Sequence, residues 1–191
     1  MFKRLLLTLA LAAASANTFA AGVTYRLDPA HTNVLASWSH FGFSHPSALF
    51  GAADGTLVYD ADDVSKSRVE VTLPLSGLDS FVPKLDEHLR SADFFDAANF
   101  PAITFRSTRV EDLGEGRLRI TGDLTVKGTT RPVVLLAQLN RIGEHPMGKA
   151  PAIGFDATAT LRRSEFGVGA YVPNVGDEIT LRITTEASAA K

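Results

Sequence analysis

Residues 86–105 read DEHLRSADFFDAANFPAITF. This stretch is the one region of the chain that does not scan as a strand followed by a turn. Asp86-Glu87-His88-Leu89-Arg90 has helical propensity and no β-branched residue. Ser91-Ala92-Asp93 supplies turn and cap chemistry. Phe94, Phe95 and Phe100 then place three rings in a short irregular segment. Pro101 pushes Phe100 into an extended conformation, and Ile103, Phe105 and Ser107 open a period-2 pattern. A helical, aromatic-rich insertion thus separates two blocks of alternating strands. In a β-protein such a segment plugs or lids a barrel, or caps one end of a sandwich.

Just upstream, residues 76–93 form the one segment suited to a helix of two or more turns. Leu78, Phe81, Val82, Leu85 and Leu89 fall on one helical face, and Pro83 limits its regularity. Before that, Val69, Val71, Leu73 and Leu75 alternate with Glu70, Thr72 and Pro74, so Pro74 marks an edge or a bulge. Residues 49–59 read as another strand, and Gly51 and Gly55 inside it suggest bends. In the first strand, Val34, Ala36, Trp38 and His40 share one face. Downstream, Leu118, Ile120, Gly122, Leu124 and Val126 give the cleanest alternation, and Lys127-Gly128 turns the chain. Residues 132–139, 153–161 and 179–183 complete about eight strands joined by short links. An up-and-down barrel and a two-sheet sandwich both fit. Long strands with one inserted helical segment favour the barrel, and eight strands leave room for a small or elongated ligand.

The bulk properties narrow the function classes. The chain has 191 residues, a net charge of −2 and no cysteine. One domain is expected. The charge gives no basic patch and no reason to expect nucleic acid. The lack of cysteine excludes thiol catalysis and zinc–thiolate sites. Residues 1–20 read as a secretory signal peptide: Met1-Phe2-Lys3-Arg4, an apolar run from Leu5 to Ala14, then small residues with Thr18 and Ala20 before a cut at Ala21. The expectation is an exported, periplasmic protein whose functional domain spans 21–191.

Several motifs resemble the YceI-like family of exported, lipocalin-like proteins. They are Leu27-Asp28-Pro29-Ala30-His31-Thr32, His40-Phe41-Gly42-Phe43, Gly55-Thr56-Leu57, residues 86–96 with their Phe94-Phe95-Asp96, and Phe100-Pro101-x-Ile103-x-Phe105. Gly122-Asp123-Leu124-Thr125-Val126-Lys127-Gly128 and Arg163-Ser164-x-Phe166-Gly167 follow. The resemblance implies an all-β fold: an eight-stranded antiparallel lipocalin-like β-barrel with a short helical insertion near residues 76–98. It also implies an internal apolar tunnel holding a polyisoprenoid, such as a prenyl quinone or prenyl pyrophosphate, or another long-chain amphiphile. No cofactor beyond that lipid is expected, and the protein is read as a carrier, not an enzyme. The partner expectations are the lipid, transient contact with the inner membrane or a membrane quinone protein, and a homodimer. The loop at 43–48 departs from the family pattern by carrying Pro46, which puts ligand choice at the mouth in question.

The candidate ligand-binding residues are Trp38, His40, Phe41, Phe43, Phe50, Phe81, Phe94, Phe95, Phe105, Phe155, Arg163 and Phe166. Any one phenylalanine is ordinary core more often than ligand contact, but together they offer rigid apolar surface to an isoprenoid chain. His40 could hydrogen-bond a head group; a core histidine bonded to a backbone carbonyl is the commoner arrangement. Arg163 could meet a pyrophosphate at the mouth, or pair with Asp86 or Asp93. Asp86 and His88 could form an acid–base pair, although a polar staple between helix and barrel is favoured, since no nucleophile motif accompanies them. The five histidines show no metal-ligand spacing. Two other functions suit the same chain: a scavenger of hydrophobic toxins or antibiotics, and an enzyme acting on an isoprenoid lipid.

Overall fold

The computed structural model describes residues 22–189. The signal sequence read at 1–20 lies outside them. Eleven strand segments make one antiparallel sheet, and they join end to end into eight staves. The first stave is β1 (Val23–Leu27) with β2 (Asn33–Ser37), the second β3 (Ser47–Phe50) with β4 (Asp54–Tyr59), and the third β5 (Arg68–Pro74) with β6 (Leu78–Asp79). Five unbroken staves follow: β7 (Ala102–Asp112), β8 (Arg117–Val126), β9 (Thr129–Glu144), β10 (Pro151–Arg162) and β11 (Glu178–Ala189). Each stave pairs with the next in sequence. The last returns to the first: Ala187 faces Leu27 at one end, and Thr180 faces Ser37 at the other. The result is the closed eight-stranded barrel with one short helix.

Local chemistry explains where the staves break. At 28–32 Asp28 accepts from the Ala30 N–H (2.9 Å) and bonds the His31 ring (2.7 Å), closing a turn within the stave. At 51–53 the chain bends with Ala52 in the left-handed region. That bend is tied to the third stave, where the Gly51 N–H donates to the Gly77 carbonyl (2.9 Å). A Cβ on Gly77 would lie 2.5 Å from the Gly51 carbonyl oxygen, so only glycine allows this approach. Pro74 ends β5, as its missing N–H requires. Lys127 and Gly128 both have positive φ and join β8 to β9 in a two-residue turn of the I′ kind.

Two expectations change. The helix α1 covers Pro83–Arg90 alone, with Pro83 in its first turn. Leu78 is in β6 and Phe81 has left-handed φ, so of the five residues assigned to one face only Leu85 and Leu89 lie on the helix. Proline opens a helix well but disfavours helical backbone in the residue before it. Strand β9 also runs on to Glu144, past the strand end expected at Leu139. Its end is exposed, so backbone pairing extends it where side-chain burial does not.

The inner faces carry two separate apolar clusters. One half of the barrel is packed by Tyr25, Leu27, Leu57, Val110, Leu118, Ile153 and Phe155. The other half is lined by Ala36, Ala48, Phe50, Ile103, Val126, Ala159 and Ile179, and the insertion adds Leu89 and Phe94. Phe105 lies near the junction, directly across from Val71 and Leu124, and its ring lies against Gly122. A Cβ there would sit 2.4 Å from that ring and 2.6 Å from the Arg106 carbonyl. Gly122→Ala is therefore expected to cost about 1–3 kcal/mol in urea unfolding. Phe105→Leu should recover only part of the loss, because the Arg106 carbonyl is fixed by the sheet.

Candidate functional site

The alternation read on the first stave places Val34, Ala36, Trp38 and His40 along one wall of a cavity of about 580 Å³. Ala48 and Phe50 continue it on β3; Leu73, Ile103, Leu124 and Leu161 come from β5, β7, β8 and β10; Ile179 and Leu181 come from β11. The open space lies in the half that holds Ala36, Ala48 and Phe50, while Tyr25, Leu57, Leu118, Ile153 and Phe155 pack the other. The cavity is thus blind. Its outer end is framed by three connections: the hairpin after β2, the segment carrying α1, and the 163–177 connection, which contribute Phe41, Leu85, His88 and Tyr171 among others.

The insertion is held over this end by polar bonds. Asp86 accepts from the Ser80 hydroxyl (2.6 Å) and the Ser80 N–H (2.7 Å). Arg90 donates to the Leu75 carbonyl (2.9 Å) and to the Leu78 carbonyl. Lys127 Nζ reaches the Ala92 carbonyl at 2.8 Å. With these anchors in place, Leu85, Leu89, Phe94 and Phe95 face the cavity. His88 turns its ring edge-on to Phe94, at 4.9 Å between centroids, and toward Tyr171, at 6.0 Å. Asp86 and His88 therefore work apart: one fastens the helix and the other lines the mouth. That is the arrangement of a staple, not of an acid–base pair.

Arg163 corrects an expectation. It pairs with neither Asp86 nor Asp93. It is buried, and it donates to the carbonyls of Val168 (2.6 Å), Ala170 (2.9 Å), Val175 (2.8 Å) and Gly176 (2.9 Å). Burial pulls its pKa below the usual range and Asp177 opposes that shift. Asp177 itself binds the Ser164 N–H (2.9 Å) and hydroxyl (2.8 Å). Arg163 is thus the framework of the 163–177 connection. Four of its five N–H donors are engaged by these carbonyls, so it borders the cavity as a framework group with one donor left for an anion.

Of the other residues nominated from sequence, Trp38, His40, Phe41, Phe50, Phe94, Phe95 and Phe166 also line the cavity. Four do not. Phe43 (93 % exposed) and Phe81 (69 % exposed) sit on connections and are absent from the cavity lining. Phe105 lies deeper than Ile103, over Gly122. Phe155 belongs to the filled half, where it meets Tyr59 edge-on at 6.1 Å between centroids. His40 is exposed at the mouth and is not a core histidine. The other wall residues are mostly aliphatic: Leu124, Leu161, Ile179 and Leu181 lie on the alternating inward faces of β8, β10 and β11. Tyr171 lies in an irregular, glycine-rich connection that carries no periodic signal. Among the described residues no group of three or more metal-ligating side chains occurs.

A YceI-like domain model matches residues 25–187. The chain belongs to the YceI-like family. A UPF0312 protein of Vibrio cholerae is 37% identical over 169 residues, covering 87% of this chain and 89% of the relative. The YceI-like fold is shared with BcnA of Burkholderia cenocepacia at a TM-score of 0.76 and 21% identity, covering 84% of this chain and 98% of that one. A polyisoprenoid binding domain from Saccharophagus degradans, implicated in plant cell wall breakdown, matches at a TM-score of 0.65 and 12% identity, covering 88% and 99%. Family and geometry together support a binding protein.

The Ser80 hydroxyl and N–H hold the Asp86 carboxyl below the usual carboxylate range, with Arg90 adding to the effect. A carboxylate depressed in the folded state contributes its stability above the unfolded pKa and loses it as pH falls through the folded value. The staple should therefore be intact at neutral pH and weaken below about pH 4. Asp86→Ala is expected to cost about 1–2 kcal/mol. It should speed amide exchange across residues 83–97 while sparing the barrel strands.

Proposed function

We propose that this YceI-like protein is a periplasmic carrier that holds a polyisoprenoid or similar long-chain amphiphile in its barrel cavity, shielding the chain from water. The observation that carries the reading is the blind, hydrocarbon-lined half-barrel beneath an aromatic lid. Burying roughly ten methylene equivalents there would be worth on the order of 8 kcal/mol gross, which corresponds to micromolar affinity before ordering costs. No polar anchor is needed for retention. The polyisoprenoid-binding description of the Saccharophagus degradans domain supports the same ligand class. Export through residues 1–20 and exchange of ligand at the inner membrane complete the proposal.

The mouth favours an uncharged head group. Among the described residues that line the cavity, Arg163 is the one guanidinium, and no lysine joins it; its hydrogen bonds go to backbone carbonyls. His40, Ser44, His88 and Tyr171 remain to meet a hydroxyl or a quinone carbonyl. A pyrophosphate would bring its charge to a site whose one guanidinium has a single donor left to receive it.

Mass spectrometry of organic extracts from the purified protein should recover a long-chain neutral lipid. A prenyl alcohol should bind at least as tightly as the pyrophosphate of the same chain length, and should raise the melting temperature. Recovery of no long-chain species, with no binding of added prenyl quinone, would sink the carrier reading. Pyrophosphate binding stronger by about tenfold or more, the scale of one charge-assisted hydrogen bond, would overturn the neutral head group alone.

A further inference from the structure

We infer that the cavity is a length gauge, closed at its floor, that admits about four isoprene units and leaves any longer remainder outside the protein. This inference rests on the carrier reading and adds to it the size of the ligand. Along β2, β5, β7 and β8 the lining residues farthest from the mouth are Val34, Leu73, Ile103 and Leu124. Two residues further along the same inner faces lie Val71 and Phe105, which pair with each other across β5 and β7. The Phe105 ring covers the place where Gly122 has no side chain. Beyond that level the barrel is solid, with Tyr25, Val110, Leu118 and Ile153 all but fully buried. A chain entering at the mouth therefore meets a floor and not a second opening.

Volume sets the capacity. A methylene occupies about as much space as the ~30 Å³ share of a water molecule in its liquid, so about 580 Å³ holds on the order of 20 chain carbons. That is a tail of four isoprene units. Beyond it, each added unit gains no wall contact and no dehydration inside the protein.

The chain carries its own probe. Trp38 is its single tryptophan, and it lines the cavity. Emission from Trp38 would be followed while the full-length mature protein is titrated with geraniol, farnesol, geranylgeraniol, and prenols of six and eight units, each delivered from cyclodextrin. Affinity should rise about tenfold or more per unit up to geranylgeraniol and then change by less than about threefold. Val34→Phe, which raises the floor from the side, should move that break to a shorter chain. Phe105→Ala, which lowers it, should move the break to a longer one. Where Phe105→Ala fails to fold, Val34→Phe decides the question. Affinity that keeps climbing through eight units, or a break that Val34→Phe leaves in place, overturns the gauge while the carrier reading stands. Silence of Trp38 and of the melting temperature at every chain length overturns the carrier reading itself.

Discussion

An eight-stranded barrel closes its backbone hydrogen bonds on itself and leaves one volume that only side chains or a guest can fill. This protein divides that volume. Tyr25, Leu57, Leu118, Ile153 and Phe155 fill one half, and the half that holds Ala36, Ala48 and Phe50 keeps an open cavity. By the rule for cavities made in protein cores, an enclosed void of about 580 Å³ would cost roughly 14 kcal/mol, which matches the whole stability of a typical domain. Such a space is tolerable only if something occupies it, either solvent through the mouth or an apolar guest. The filled half and the closed ring of hydrogen bonds supply the stability that the hollow half lacks. In the carrier reading the ligand acts as the missing part of the core, and binding and folding are linked.

The mouth follows the same logic. A lid over a hydrocarbon cavity needs an apolar underside, and it needs polar fastenings that do not face the ligand. In the insertion these duties fall to different residues. Leu85, Leu89, Phe94 and Phe95 face inward, while Asp86, Arg90 and the backbone of Ala92 make the attachments outside. The opposite side of the mouth uses Arg163 in place of a helix. Four carbonyls from an irregular connection converge on one guanidinium, giving an otherwise structureless segment a fixed shape without a strand or a disulfide.

The sequence reveals which side of a strand faces inward far better than it reveals depth. Period-2 alternation placed Val34, Ala36, Trp38 and His40 on one wall, and that wall lines the cavity. The same alternation cannot tell Phe155 from Phe50. Both face inward, and only the register accumulated around the barrel puts the first in the filled half and the second in the hollow one. Phe105 escaped for the same reason. Phe81 was misplaced by a local effect, the constraint that Pro83 imposes on the residues before it. The partners of Arg163 are backbone atoms of residues with no pattern, so charge matching on the sequence pointed to carboxylates where the fold uses carbonyls.

The division between inner wall and outer fastening also bears on binding against catalysis. General acid–base chemistry needs a titratable pair held at the reacting atoms. Here the Asp86 carboxylate is occupied by Ser80 on the far side of the helix, and the His88 ring packs against Phe94 and Tyr171. Moving Asp86 toward His88 would release the helix that places His88 at the mouth in the first place. The staple and the acid–base pair therefore exclude one another: a state in which Asp86 fastens the helix leaves His88 without that carboxylate.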